Sequence, residues 1–340
     1  MFRLIVILFF VGSFTTANAQ TLGGNAVFNF INQPNTAQVS ALGGVNVSNI
    51  SNDAGMAIQN PALLKSTMHA QANASFNSFL AGIKNYSLTS VYHVASYNTT
   101  VGLGINFFDY GSLQQTDASG NVLGSFHPTD YVVQVMASRQ HKENWFYGAA
   151  LKFISSSYGP YKSNGIAVDA GLTFYDSANQ FQAGIVVKNM GTQLRTYDRY
   201  GTKEELPFDL QAGITRRLDK APIQFSLTAH HLHRFNIRYN DTLFLTDEGA
   251  DDFRNKKFMI DKVFSHLVFA TQVFIKDKVE ITAGYNFLRR KDLNVLNSTN
   301  GLNGFTFGGG LLLKQLQIRY ATGFYQQNMF SHLGVNFSWK

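Results

Sequence analysis

Cysteine is absent from this 340-residue chain. That excludes a disulfide framework and a cysteine-borne lipid anchor, so stability must come from pairing and packing. Charge is scarce as well: 14% of residues are charged, against about 25% in typical soluble domains. No stretch after the first twenty residues holds eighteen consecutive apolar residues. Spanning helices are therefore excluded, and a membrane-spanning chain would have to close a β-barrel. What is plentiful is glycine (29), phenylalanine (30) and tyrosine (15), a balance suited to an outer surface bathed in lipid.

Both ends of the chain carry export signals. Met1, Phe2 and Arg3 form a short basic start, Leu4 to Phe14 an apolar run, and Ala17-Asn18-Ala19 a small-residue cleavage site. Residues 1–19 thus read as a secretory signal peptide, and the mature chain is expected to begin at Gln20. At the other end, His332, Gly334, Phe337 and Trp339 have the polar-x-Gly-x-x-aromatic-x-aromatic spacing of a closing strand that directs barrel insertion. As a strand, this segment puts Leu333, Val335, Phe337 and Trp339 on one face and His332, Gly334, Asn336 and Ser338 on the other. One face suits lipid and the other a wet lumen. The formal charge of +7 is compatible with nucleic acid, but in an exported chain the expected counterparts are phosphate-bearing lipid or an acidic surface partner.

Between these ends, alternation recurs. Val101, Leu103, Ile105 and Phe107 alternate with Gly102, Gly104, Asn106 and Phe108. Val279, Ile281, Ala283, Tyr285 and Phe287 likewise oppose Glu280, Thr282, Gly284 and Asn286. The second face is mostly Gly, Ser, Thr, Asn and Gln with sparse charge, unlike the Lys- and Glu-rich face a soluble sheet turns to water. Fourteen such segments are predicted, at 69–78, 84–94, 99–108, 129–139, 144–157, 163–175, 180–188, 208–217, 222–235, 262–275, 278–288, 303–313, 315–325 and 329–339. Connections after even-numbered segments are all short, whereas the long ones, 109–128, 189–207, 236–261 and 289–302, all follow odd-numbered segments. Short periplasmic turns and longer outer loops are a bacterial barrel's arrangement. The expected fold is all-β: a 14-stranded antiparallel transmembrane β-barrel over 69–340 in the outer membrane of a Gram-negative bacterium, with residues 20–68 as an N-terminal plug.

Within 20–68, Gly43-Gly44 permits positive φ and close backbone approach, and Pro61 biases Asn60 away from helix. The motif residues Phe28, Phe30, Pro34, Ala41-Leu42-Gly43-Gly44, Asp53 and Asn60-Pro61-Ala62-Leu63-Leu64 resemble the N-terminal signature of the PorV/PorQ family, barrels similar to the fatty-acid transporter FadL. The Asn-Pro-Ala-Leu-Leu ending and compact length are similar to its PorQ branch. One departure is Thr36-Ala37-Gln38 where the family commonly reads Ser-Ala-Arg, so an ion pair made by that arginine is absent or moved. The resemblance implies a non-enzymatic outer-membrane component of the type IX secretion system of Bacteroidetes. It would anchor a PorZ-like surface protein and other secretion subunits that join cargo to anionic lipopolysaccharide. The alternative is a FadL-like channel for hydrophobic small molecules.

Little else suggests chemistry. His230, His231 and His233 are the densest histidine cluster, with His231 and His233 sharing a strand face, but no Cys or carboxylate on that face completes a metal set. Asp247, Glu248, Asp251 and Asp252 lack the ordered spacing of a calcium loop. No Ser/His/acid arrangement suggests a hydrolase, and no cofactor is expected. Inward charges at Lys152, Asp169, Lys188, Asp209, Glu280 and Arg319 are expected to pair across the lumen or with the plug, because leaving them unpaired is costly. The outer connection 236–261 offers Phe244, Phe253 and Phe258 as candidate partner anchors inside a polar rim.

Overall fold

The computed structural model describes residues 26–198, 201–237, 260–293 and 300–339. The expected signal peptide and the loop residues Phe244, Phe253 and Phe258 lie outside the described residues. The wall begins with β1 (Gln71–Ser78), β2 (Lys84–Val94) and β3 (Thr99–Asp109). A separate hairpin of β4 (Leu113–Thr116) and β5 (Val122–Phe126) follows. The wall resumes with β6 (Thr129–His141), β7 (Trp145–Tyr158), β8 (Tyr161–Asp176), β9 (Phe181–Arg195), β10 (Asp209–Arg217) and β11 (Ile223–Ala229). It ends with β12 (Leu267–Ile275), β13 (Val279–Asn286), β14 (Phe305–Leu312), β15 (Leu316–Tyr325) and β16 (Asn328–Ser338).

Apart from β4 and β5, each strand pairs with its chain neighbours, and β16 closes on β1 through Gln71↔Ser338 to Ser78↔Ser331. The result is the expected fourteen-stranded antiparallel barrel. Closure satisfies every wall strand's backbone without an exposed edge, as a hydrocarbon environment demands. Side-chain burial follows the predicted alternation: on β3, Leu103, Ile105 and Phe107 are exposed while Asn106 and Phe108 are buried. The exposed face is apolar and the buried face is dominated by Asn, Gln, Ser and Thr, the inverse of a water-soluble protein.

Four boundaries depart from expectation, two of them at a residue with positive φ. β9 runs on to Arg195, past a bulge where Asn189 takes φ 59 and its backbone N–H donates to Asp169 Oδ1 at 2.8 Å. β11 stops at Ala229 because His231 takes φ 55, which no extended strand accommodates. Residues 260–265 are helical although a strand was expected from 262, and Phe287–Asp292 is helical although a strand was expected to 288.

Residues 26–70 thread the lumen. Ala26 bridges to Glu205 in the long β9–β10 connection, and the segment ends at the start of β1, on the short-turn side; in bacterial barrels long connections face outward and short turns the periplasm, and the two ends are named accordingly. Its hydrogen bonds reach around the wall: Ser40 Oγ meets His332 Nδ1 at 2.8 Å, Ser48 Oγ meets Thr215 Oγ1 at 3.0 Å, and Thr306 Oγ1 donates to Ala41 O at 2.9 Å. Wall glycines admit its backbone. A methyl group at Gly171 would lie 1.9 Å from Asn60 Oδ1, and one at Gly284 would lie 2.4 Å from Gly43 N. Much of the glycine on the polar register is thereby explained.

Candidate functional site

The motif residues form the plug's own framework. Asn60 caps the turn Pro61–Leu63: its Oδ1 accepts from Ala62 N at 3.0 Å, and its Nδ2 donates to Val47 O at 3.1 Å and Thr173 Oγ1 at 3.3 Å. Proline at the first position fits because its missing N–H has no partner to make there. Thr36 caps the short helix Ala37–Ala41 by accepting from Val39 N, and Gly43 and Gly44, at φ 92 and 91, end it. Pro34 is buried just ahead of that helix.

The inward charges meet the expectation in part: Arg319 pairs with the plug, Lys152 and Asp169 pair between neighbouring strands, and Lys188 reaches the plug through an uncharged amide. The plug-to-wall ion pair runs from plug Asp53 to wall Arg319, with Nη1 to Oδ2 at 2.9 Å. Arg319 Nη2 also reaches Glu280 Oε2 at 3.3 Å. Asp53 further accepts from Gly55 N and Asn73 Nδ2, both at 2.8 Å. Lys152 pairs with Asp169 at 2.6 Å and donates to Asn189 Oδ1 at 2.8 Å, while Lys188 Nζ donates to plug Gln59 at 3.2 Å. At the periplasmic end Lys65 Nζ lies 4.2 Å from the Tyr175 ring centre and donates to Gln182 at 2.9 Å. Burial pulls the Lys65 ammonium down to about 8.

Toward the outer end the lumen changes character. Phe108, Val132, Ile154 and Ala167 occupy the polar register yet are apolar, and they pack with plug residues Val27, Phe28 and Phe30. Phe28 reaches this cluster through a left-handed backbone at φ 61, and the Phe30 and Phe108 rings meet edge to face at 5.5 Å. Beside them lies a cavity of about 330 Å³ walled by Phe30, Phe79, Leu80, Ile83, Phe108, Tyr110 and Tyr325, with Asn29 and Gln33 at its edge. The Tyr110 and Tyr158 hydroxyls both donate to the buried Asp130 carboxylate, at 2.6 and 2.8 Å. Burial, reinforced by Asp130, pushes the Tyr110 phenol far above its ordinary value, so it remains a donor. Deeper in, between Gln33, Asn35, Lys152 and Lys188, free space falls to about 20 Å³. That is room for about one water.

Sequence reasoning found Phe28 and Phe30 but not their wall partners. The available signal was the apolar side chain at a polar-register position, Phe108 after Asn106 and Ile154 after Lys152. Of the closing-strand residues, His332 and Gly334 face the plug and Phe337 and Trp339 the outside. The histidine cluster also differs from expectation: His231 pairs with His230 rather than His233, and Asp209 joins them.

A closed barrel with an apolar exterior and a filled lumen defines an outer-membrane β-barrel. Among solved structures the chain is similar to the deltaS2 mutant of the TodX monoaromatic hydrocarbon channel. The TM-score is 0.52 at 12% identity, covering 90% of this chain and 97% of that one. It is also similar to the CymD monoaromatic hydrocarbon channel, with TM-score 0.49 at 14% identity, covering 91% of this chain and 97% of that one. At such identities the likeness speaks for the fold alone, and the TodX match carries it. No family model and no curated protein matches the sequence.

Proposed function

We propose that this barrel admits small hydrophobic molecules from the cell exterior, taking them first into the cavity between Phe30 and Phe108. The observation that carries this reading is the apolar lining of about 330 Å³ inside a lumen whose other buried side chains are mainly polar. An apolar cavity of about 150 Å³ suffices for benzene, so this one suits a molecule of one to three rings or a short alkyl chain. Onward passage runs past the plug turn Asn29–Asn32, beneath which the void between Gln33, Asn35, Lys152 and Lys188 narrows to about 20 Å³.

The test uses the purified barrel in detergent and the fluorescent probe N-phenyl-1-naphthylamine. Phe108→Asp and Phe30→Ser should each weaken probe binding at least about tenfold, equivalent to about 1.4 kcal/mol, while heat-modifiable migration is kept. Unchanged affinity in both folded variants would refute the reading.

A second reading, that the barrel anchors a PorZ-like surface protein of a type IX secretion apparatus, is favoured by the locked plug. A lumen crossed by the Asp53–Arg319–Glu280 and Lys152–Asp169 pairs suits a static scaffold. Pull-down of tagged barrel from native outer membranes separates the two: a stoichiometric surface protein supports the scaffold, whereas a lone barrel carrying lipid or hydrocarbon supports uptake.

A further inference from the structure

At the outer rim, where β10 begins and β11 has just ended, three side chains converge. His230 and Asp209 are buried and His231 is about one-third exposed. In a continuing strand, successive side chains point to opposite faces. Here β11 has stopped, and the left-handed turn at His231 brings both rings to the same side, Nδ1 to Nδ1 at 2.5 Å. Asp209, from the neighbouring strand, accepts from His231 N at 2.6 Å and holds Oδ2 3.8 Å from His231 Nδ1. One ligand atom from each of the three lies within 4.8 Å of the other two.

We propose that Asp209, His230 and His231 bind a divalent transition-metal ion of the zinc class. The two facing imidazole nitrogens share at most one proton, while each Asp209 oxygen, accepting from His231 N at 2.6 Å or from Gln211 Nε2 at 2.7 Å, keeps a further lone pair. A cation placed among them satisfies all three. Zinc bonds nitrogen at about 2.0–2.1 Å, which sets two tetrahedral ligands about 3.3 Å apart, so loading requires the rings to part slightly.

The donors select the kind of ion. The three residues line a cavity of about 260 Å³ that also borders Lys188 and Arg289. Those side-chain cations oppose any divalent ion alike, so the selection comes from the donor set: two imidazoles disfavour magnesium and calcium, which seek all-oxygen shells, whereas zinc, nickel and copper bind imidazole strongly. The cavity supplies room for a fourth ligand, so the geometry is that of an open site rather than a closed structural one. His266 is set apart from the three, its ring lying between the carbonyl oxygens of His230, 2.8 Å from Nδ1, and Phe235, 3.3 Å from Nε2, to one of which it donates. His233 packs edge to face on Phe208 and serves as a control.

The experiment titrates untagged, chelator-stripped barrel in detergent with Zn²⁺ by calorimetry, and with Co²⁺ by its visible absorption. The expected result is one ion per chain, with affinity falling at least about tenfold in His231→Gln and Asp209→Asn, the loss that even outer-shell changes commonly cause. His233→Ala should leave it unchanged. His231→Gln, at the most exposed of the three positions, keeps the test open if Asp209→Asn does not fold, and heat-modifiable migration verifies each variant. Absence of stoichiometric binding, or binding that survives in folded His231→Gln, overturns the site.

Discussion

Arg319→Met is the most informative single perturbation of the plug-to-wall contact. Arg319, Asp53 and Glu280 are 5%, 1% and 3% exposed, so none is appreciably shielded by bulk water. The guanidinium is shared between two carboxylates, at 2.9 Å to Asp53 and 3.3 Å to Glu280, and also donates to Gln317 at 2.8 Å. Removing it leaves two buried carboxylates without a counter-ion, a defect that costs about 3–5 kcal/mol. Burial already holds the Asp53 carboxyl above its ordinary pKa against the pull of Arg319. A carboxyl whose folded-state pKa is raised favours the folded state below its unfolded pKa and loses that contribution as pH rises through the folded one. The Arg319→Met penalty should therefore be larger at alkaline pH and shrink in acid. Chemical unfolding of the barrel in lipid vesicles, followed by tryptophan fluorescence, reads the stability, and planar-bilayer conductance reads plug release. Combining Arg319→Met with Asp53→Asn and Glu280→Gln should recover most of the loss. A pH-independent loss below about 1 kcal/mol, or a triple variant no better than the single one, would refute the argument that charge pairing fixes the plug.

Further outcomes follow from other contacts. Gly171→Val should displace the Asn60 cap, because even a methyl would lie 1.9 Å from Asn60 Oδ1; overpacking of this kind costs about 1–3 kcal/mol, and protease sensitivity of the plug should rise while the barrel stays inserted. Phe337→Ser with Trp339→Ser removes the exposed aromatics of the closing strand; export should continue while outer-membrane insertion fails, and normal heat-modifiable barrel would disprove the insertion role. With the Lys65 ammonium held near 8 against an ordinary 10.5, the folded state binds fewer protons between those values, so stability should rise with pH there. Lys65→Met should flatten that rise in unfolding curves. Tags in the β11–β12 connection should label on intact cells and tags in the β6–β7 turn only after the outer membrane is broken, since the long and short connections lie at opposite ends.

The wall was legible because a membrane barrel writes its geometry along the chain. Lipid on one side and a polar filling on the other force period-two alternation, and antiparallel closure sorts short from long connections, so β2 and β15 fall within a residue of their predicted limits. The plug was legible only as a departure from alternation plus a motif. Its path depends on pairings such as Ser40 with His332 and Asp53 with Arg319, which join residues far apart in sequence and leave no local periodicity. The apolar cluster beside the cavity was readable in principle from Phe108, Val132 and Ile154 at polar-register positions, but only the closed barrel shows that these three pack with Phe30 and that Phe108 alone among them lines the cavity. The histidine site was hidden for the opposite reason. Period-two reasoning assigns His230 and His231 to opposite faces and leaves Asp209 on another segment. A single left-handed residue at the strand's end cancels the alternation, and interstrand pairing supplies the carboxylate. Alternation therefore reads the wall where strands continue and misplaces side chains where they end, and the outer rim, where this barrel gathers its apolar cavity and its histidines, is made of such endings.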